Sequence, residues 1–283
     1  MKYLASKELV DKAYQDGYAV PSFCVWNAET TEAVLQAAAD FRAPVMIMSG
    51  PSEFEVFPPD VMAEIARAMA KKYDVRAALH LDHGDSPELA GRCMAAGYTS
   101  VMLDYSTRPF EENAAALRAL AIRCRARAIS LEGELGAVGR VDDGPGEGSK
   151  TSMLTVPADA QEYLRQTGVD MLAVSIGNAH GLYTARPQFN FDLLAELRSK
   201  VPIPFVLHGG SGTPEEDLRK AIGLGIAKVN VASELCQAIR DSFEAQWKTD
   251  RSRWLPLTFA QTKKALAPVI EKWIRITGAA GRA

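Results

Sequence analysis

Cysteine is scarce in this sequence and carries no pattern: Cys24, Cys93, Cys124 and Cys236 are the only four, and none stands in CxxC spacing. That argues against a disulfide framework and against a thiolate zinc cluster, and it fits buried free thiols in a reducing cytoplasm. Long apolar runs are missing. No stretch approaches the roughly 18–20 residues of a membrane span. The N-terminal MKYLASKELVDKAYQDGY has no apolar segment of the kind a secretory leader needs, so a cytoplasmic protein is expected. No charge of one sign dominates. A net charge of −3 and 24% charged residues offer little to nucleic acid or to an anionic membrane. The GxGxxG turn of dinucleotide-binding sheets is also absent after the first apolar run.

What is present is a repeat of one unit. Eight short apolar runs occur at 19–26, 44–49, 76–83, 100–106, 128–135, 171–177, 203–209 and 226–233. Most are rich in Val, Ile, Leu and Met, as strands covered on both faces must be. Between them lie helical patterns such as SPELAGRCMAAG and PEEDLRKAIGLG, which open on Ser, Pro or acidic residues. Strand and helix alternating at this spacing build right-handed βαβ units with a parallel sheet. Eight such units close into a (β/α)8 TIM barrel, for which about 250 residues is typical. The 283 residues are therefore read as one barrel domain, with a helical C-terminal extension over about 240–283. One connection stands apart. GAVGRVDDGPGEGSKTSML, after the fifth run, is broken by glycine and proline and reads as a lid.

Chemistry concentrates where these runs end. The chain has four histidines, and three of them, His83, His180 and His208, fall at or just past the ends of the third, sixth and seventh runs. Barrel active sites lie at that end. Three converging imidazoles suit a catalytic zinc, which takes three protein ligands and keeps a fourth position open. His80 lies inside its run and reads as structural. Asp82 adjoins His83 and reads as a proton carrier, provided the chain turns there so that both side chains face the rim. Asp104 ends the fourth run, and Glu132 and Glu134 share a face of the fifth. Asp85 and Ser106 read as helix caps. After the seventh run, HGGSG (208–212) offers unobstructed backbone N–H groups before the Pro-Glu-Glu helix start, an arrangement that cradles anions. Asn230 and Ser233, after the eighth run, add donors on the side where barrels often bind phosphate.

In this order, LDHGDSPE, SVMLDYSTRPFEEN, LEGELGAVG, AVSIGNAHG, VLHGGSG and KVNVASE resemble the class II, zinc-dependent fructose- and tagatose-bisphosphate aldolases over about residues 1–240. The resemblance implies zinc on His83, His180 and His208, with Asp82 as proton donor. It implies a second or alternative metal position at Asp104 and Glu134, and room for a second cation, divalent or monovalent. Gly181, Gly209, Gly210, Ser211, Asn230, Val231, Ala232 and Ser233 match the site for dihydroxyacetone phosphate. A homodimer or homotetramer acting on a sugar phosphate is implied as well.

The chain also departs from the family pattern. Cys24 stands where an asparagine is usual, and SGPSEF replaces a small-residue pattern after the second run. Thr184, Ala185 and Arg186 occupy a region that often carries a lysine. In the lid, GRVDD places Asp142, or else Asp143, where the family has the glutamate that acts as base. Arg251 or Arg253 could meet a second phosphate. Four rival readings stand beside this one. Lys228 on the eighth run would serve a Schiff-base aldolase, but a salt-bridged lysine low in the barrel is the simpler reading. A metal-dependent hydrolase would show His-x-His on its first strand, and none is there. A phosphometabolite-binding barrel without turnover, or an aldolase for a modified or non-bisphosphate sugar, completes the set.

Overall fold

The computed structural model describes residues 3–141, 153–183 and 185–283. Among the described residues the strands, in chain order, are β1 (Val20–Cys24), β2 (Val45–Ser49), β3 (Ala77–Gly84), β4 (Ser100–Leu103), β5 (Ser130–Leu135), β6 (Gly139–Arg140), β7 (Met171–Val174), β8 (Ala179–His180), β9 (Phe205–Leu207) and β10 (Ile226–Val231). The helices are α1 (Ser6–Asp16), α2 (Ala28–Asp40), α3 (Pro59–Ala70), α4 (Pro87–Ala96), α5 (Phe110–Arg125), α6 (Pro157–Thr167), α7 (Phe191–Lys200), α8 (Glu215–Gly223), α9 (Ser233–Thr249) and α10 (Leu255–Ile276).

Eight of the strands close in the order β1-β10-β9-β7-β5-β4-β3-β2. Closure is visible at Ser22, which is in register with Met46 on one side and Asn230 on the other. All pairs are parallel, and closure leaves no open edge among the eight barrel strands. The strands are aliphatic and buried on both faces because helices cover the outside and layered side chains fill the inside. All but β3 are shorter than the apolar runs. The seventh run, 203–209, contributes only Phe205–Leu207 to the ladder, because its last residues leave the sheet to form the rim.

Local sequence sets the helix starts. Asn27 and Thr30 cap α2 reciprocally. The Ser86 hydroxyl accepts from Leu89 N–H at the start of α4, with Pro87 following. The cap is thus Ser86, not Asp85, which accepts from the Ser86 hydroxyl at 2.8 Å. α1 was not expected as an element. Its apolar face, Leu9, Val10 and Ala13, is buried, and its first turn meets the starts of β4 and β5: Ser6 donates to Ser100 at 2.7 Å and Lys7 N–H to Ser130 at 2.9 Å. α1 therefore stoppers the N-terminal mouth.

The C-terminal extension is helical, as expected. α10 lies along α9 and α2, with Trp273 fully buried. Glu32 on α2 takes Lys263 of α10 at 2.6 Å. Trp254, Leu255, Leu257 and Phe259, around the start of α10, are exposed. Cys24, Cys93 and Cys124 are buried free thiols, whereas Cys236 is only half-buried.

Candidate metal centre and substrate cleft

Asp82 and His83 are neighbours in one strand, where alternation would send them to opposite faces. Two distortions bring them together. The β3–β4 register slips between Leu81 and Gly84, and His83 has φ 43°, a left-handed conformation rare for a residue with a side chain. The reversal lies inside β3, not in a turn after it. Backbone strain of this kind is held only where the surroundings enforce it.

His83, His180 and His208 each bring a ring nitrogen to within 4.8 Å of the others. Ring centroids are 4.9 Å apart for His83 and His180, 4.5 Å for His83 and His208, and 5.7 Å for His180 and His208. His83 Nδ1 is held by Asp104 Oδ2 at 2.6 Å, which leaves Nε2 buried with no partner. His208 is held by its other nitrogen: Nε2 meets Glu132 Oε1 at 2.9 Å. Its Nδ1 approaches Glu134 Oε2 to 3.2 Å, but off-angle, so neither atom has a hydrogen-bond partner. Buried orphaned nitrogens are rare, and here they face one point. Imidazoles steadied by carboxylates on the far nitrogen are the usual support of a metal ligand. The residues therefore fit a divalent cation. His83, Asp104 and Glu134 form a second set with the same spacing.

The electrostatics of the metal-free site differ among the three imidazoles. Burial would lower His83, but the charge of Asp82 and the bond to Asp104 outweigh that and raise it. Burial, then the neighbouring His83 and His208, pushes His180 down to about 3, leaving the neutral imidazole that can ligate. Burial would lower His208, but its contacts with Glu132 and Glu134 outweigh that and raise it. Burial would raise Asp82, but the charges of His83 and His208 prevail and hold it below the usual carboxylate range. Asp82 is therefore ionised, and Asn230 Nδ2 donates to its Oδ1 at 2.8 Å.

The cleft beside the histidines has about 280 Å³ of open space and is lined by Met48, Asp82, His180, Gly181, Gly209, Ser211, Asn230, Ala232 and Ser233. Gly209 has φ 65°, and a Cβ there would sit 2.0 Å from the Ala179 carbonyl oxygen, so only glycine fits. Gly210 N–H is occupied by the Asn230 carbonyl at 3.0 Å, and Gly212 N–H by Glu234 at 2.7 Å. The helix start at the cleft belongs to α9, through Ala232 and Ser233, and not to the Pro-Glu-Glu helix α8, none of whose residues line it. Val231 ends β10 and is buried. A slightly larger hollow of about 340 Å³ lies between α2, α9 and α10. Its single cation, Lys263, is paired with Glu32, and it holds no converging ligands.

Other residues fall elsewhere. Asp142, Asp143 and Thr184 lie outside the described residues. Arg186 is bound to Glu216 and Asp217. Arg251 and Arg253 sit in the turn between α9 and α10 and do not line the cleft. Lys228 is buried and ion-paired with Glu132 at 2.8 Å, as the simpler reading had it. Ser106 caps no helix; its hydroxyl donates to Asp104 Oδ1 at 2.7 Å. Sequence reasoning gave no site role to Asn178, whose Nδ2 supports the His208 carbonyl at 3.0 Å, or to Tyr183, whose hydroxyl bonds Gly209 O at 3.1 Å. A polar residue beside each motif was the available signal.

A closed β/α barrel with three imidazoles, supporting carboxylates and a polar cleft at its C-terminal mouth is the frame of a barrel enzyme able to hold a divalent cation. The sequence pattern of class II fructose-bisphosphate aldolases matches residues 5–282. A D-tagatose-1,6-bisphosphate aldolase subunit, GatY, of Klebsiella oxytoca is 38% identical over 283 residues, covering 100% of both chains. The crystal structure of the YdjI aldolase from Escherichia coli K12 superposes with a TM-score of 0.87 at 31% identity, covering 99% of each chain. A putative fructose-1,6-bisphosphate aldolase from Coccidioides immitis gives 0.84 at 28% identity, covering 97% of this chain and 96% of that one. The chain belongs to the class II fructose-bisphosphate aldolase family, and it is an aldehyde-lyase that catalyses retro-aldol cleavage.

Proposed function

We propose that the protein cleaves a ketose bisphosphate reversibly to dihydroxyacetone phosphate and an aldehyde, using zinc held by His83, His180 and His208. The observation that carries this is the convergence of three imidazole nitrogens within 4.8 Å beside an ionised Asp82. A cation bound there supplies a Lewis acid that draws electrons from the substrate carbonyl. Asp82, already ionised, takes the proton of the C4 hydroxyl as the C3–C4 bond breaks, and returns it in condensation. Asn230 fixes the Asp82 carboxylate for that transfer. Gly181, Gly209, Gly210, Ser211 and the segment Asn230–Ser233 are proposed to hold the phosphate, so that remote binding energy orients the reacting carbons. Asp104 and Glu134 support a second cation position. Asp142 is proposed to exchange the C3 proton. In support, β6 runs beside β8, with Arg140, two positions before Asp142 in the sequence, in register with His180.

The matched family and the Klebsiella relative bear the names of fructose and tagatose bisphosphates, which differ only in configuration at C4. Condensing dihydroxyacetone phosphate with a panel of aldehydes, and resolving the C4 epimers, identifies the substrate. Chelation should abolish cleavage and zinc should restore it, while His208→Ala should lose both zinc and turnover. Full activity in a strong chelator would sink the metal assignment. Assembly as a homodimer or homotetramer is proposed on the exposed apolar surface around Trp254 and Leu257, and sedimentation reads it directly. A cytoplasmic location is proposed on the free thiols. Among the described residues, no helix is long and apolar enough to cross a membrane.

A further inference from the structure

A buried polar column climbs the barrel interior beneath the three histidines. Ser6 Oγ donates to Ser100 Oγ at 2.7 Å, and Ser100 Oγ meets His80 Nδ1 at 2.7 Å. His80 Nε2 faces Lys228 Nζ at 3.3 Å, and Lys228 Nζ donates to Glu132 Oε2 at 2.8 Å. Glu132 Oε1 then meets His208 Nε2 at 2.9 Å. Ser6, Ser100, His80, Lys228, Glu132 and His208 are all 0% exposed. Neither Lys228 nor Glu132 lines the cleft. A buried ion pair is weak support for stability, because apolar replacements are often neutral or better. Its presence here calls for another purpose.

Donor and acceptor counting supplies one. Lys228 carries only donors, so the Glu132 oxygen it meets must accept. An ionised carboxylate accepts at both oxygens, and its other oxygen faces His208 Nε2, which must then carry the proton. Nδ1 is left to face His83 and His180. Lower down, the same lysine makes His80 Nε2 an acceptor, so His80 Nδ1–H points to Ser100. Every contact in the column then has one donor and one acceptor. We propose that Glu132 and Lys228 are positioning residues that lock His208 as its Nε2–H tautomer and so present Nδ1 to a divalent cation. This rests on the reading that the three histidines bind metal.

The test uses the full-length protein and Zn2+ alone. In zinc-loaded protein labelled with 15N-histidine, His208 should keep its proton on Nε2 and bind through Nδ1. A spectrum showing the reverse overturns the proposal without any variant. Zinc affinity is then measured by competition with a chromophoric chelator. In Glu132→Gln the amide oxygen turns toward the Lys228 ammonium, its NH2 faces His208 Nε2, and the wrong tautomer is favoured. Affinity should fall about 10- to 100-fold, the usual cost of losing such a support, measured below the melting transition, which also drops because Lys228 loses its counter-charge. Adding Lys228→Met frees the amide to turn its oxygen back to His208, so the double variant should regain affinity. A merely structural pair would restore the melting temperature in the double variant but would leave the 15N tautomer signature of His208 the same in wild type and both variants, which separates the two. Unchanged affinity in Glu132→Gln, or a double variant no better than the single, refutes the proposal. Wild-type protein that binds no zinc would instead refute the metal reading itself.

Discussion

Asp82 and His83 share one short stretch of chain, yet they divide the chemistry. One is an ionised carboxylate fixed by Asn230, the other an imidazole fixed by Asp104. If Asp82 moves the C4 proton, Asp82→Asn should lower kcat by about 10²- to 10⁴-fold. Bound zinc, read by atomic absorption, should be unchanged, and turnover near that of the wild type would remove Asp82 from the mechanism. His208 makes a second prediction. Its contacts with Glu132 and Glu134 raise its proton affinity in the metal-free protein, so a proton competes with zinc for Nδ1. Zinc must displace that proton. Calorimetric titration with zinc in two buffers of different ionisation enthalpy should show a proton released, and zinc affinity should rise with pH. Buffer-independent heats would contradict the assignment.

At the scale of elements, the barrel's loops act through backbone geometry. Gly209 lies between the proposed metal ligand His208 and the cleft-lining Ser211, packed on the carbonyl of Ala179 next to His180. Two of the three converging histidines are thus spaced by one glycine contact. Gly209→Ala should cost at least about 2 kcal/mol through strain and clash and should weaken zinc binding along with stability. A variant that melts like the wild type would show that this contact yields easily. Here sequence and structure diverged most. The HGGSG motif was legible as a cradle, but the α8 start behind it does not line the cleft, and the start of α9 does. The strand after the cradle sets which helix points inward, and no local pattern encodes that.

The whole molecule is tied at its outer layer by α10, which lies across α9 and α2. Glu32 on α2 is drawn down to about 2, first by Lys263 of α10 and then by Lys72. A depressed folded value means stability that is full above the unfolded value of 4.5 and lost as pH falls toward 2. Glu32→Gln should therefore lower the melting temperature at neutral pH and flatten its decline across that acid window. A decline as steep as in the wild type would place the acid sensitivity elsewhere. The same extension carries the exposed Trp254, Leu255, Leu257 and Phe259. One side of α10 thus completes the fold while its start leaves apolar surface exposed.

The sequence by itself determined the eight-unit barrel, because strand and helix periodicities are local and parallel units of that number close. It also determined which histidines belong at the mouth, because strand ends are readable and only three of four histidines fall there. Tertiary structure alone decided that His83 turns back to join Asp82, since the slipped register depends on β4. It alone decided which nitrogen of His208 faces the site, since that choice is made by Glu132 and Lys228 across the barrel interior. Hydrogen-bond partners far apart in the chain leave no trace in local spacing, and burial is what gives them their strength.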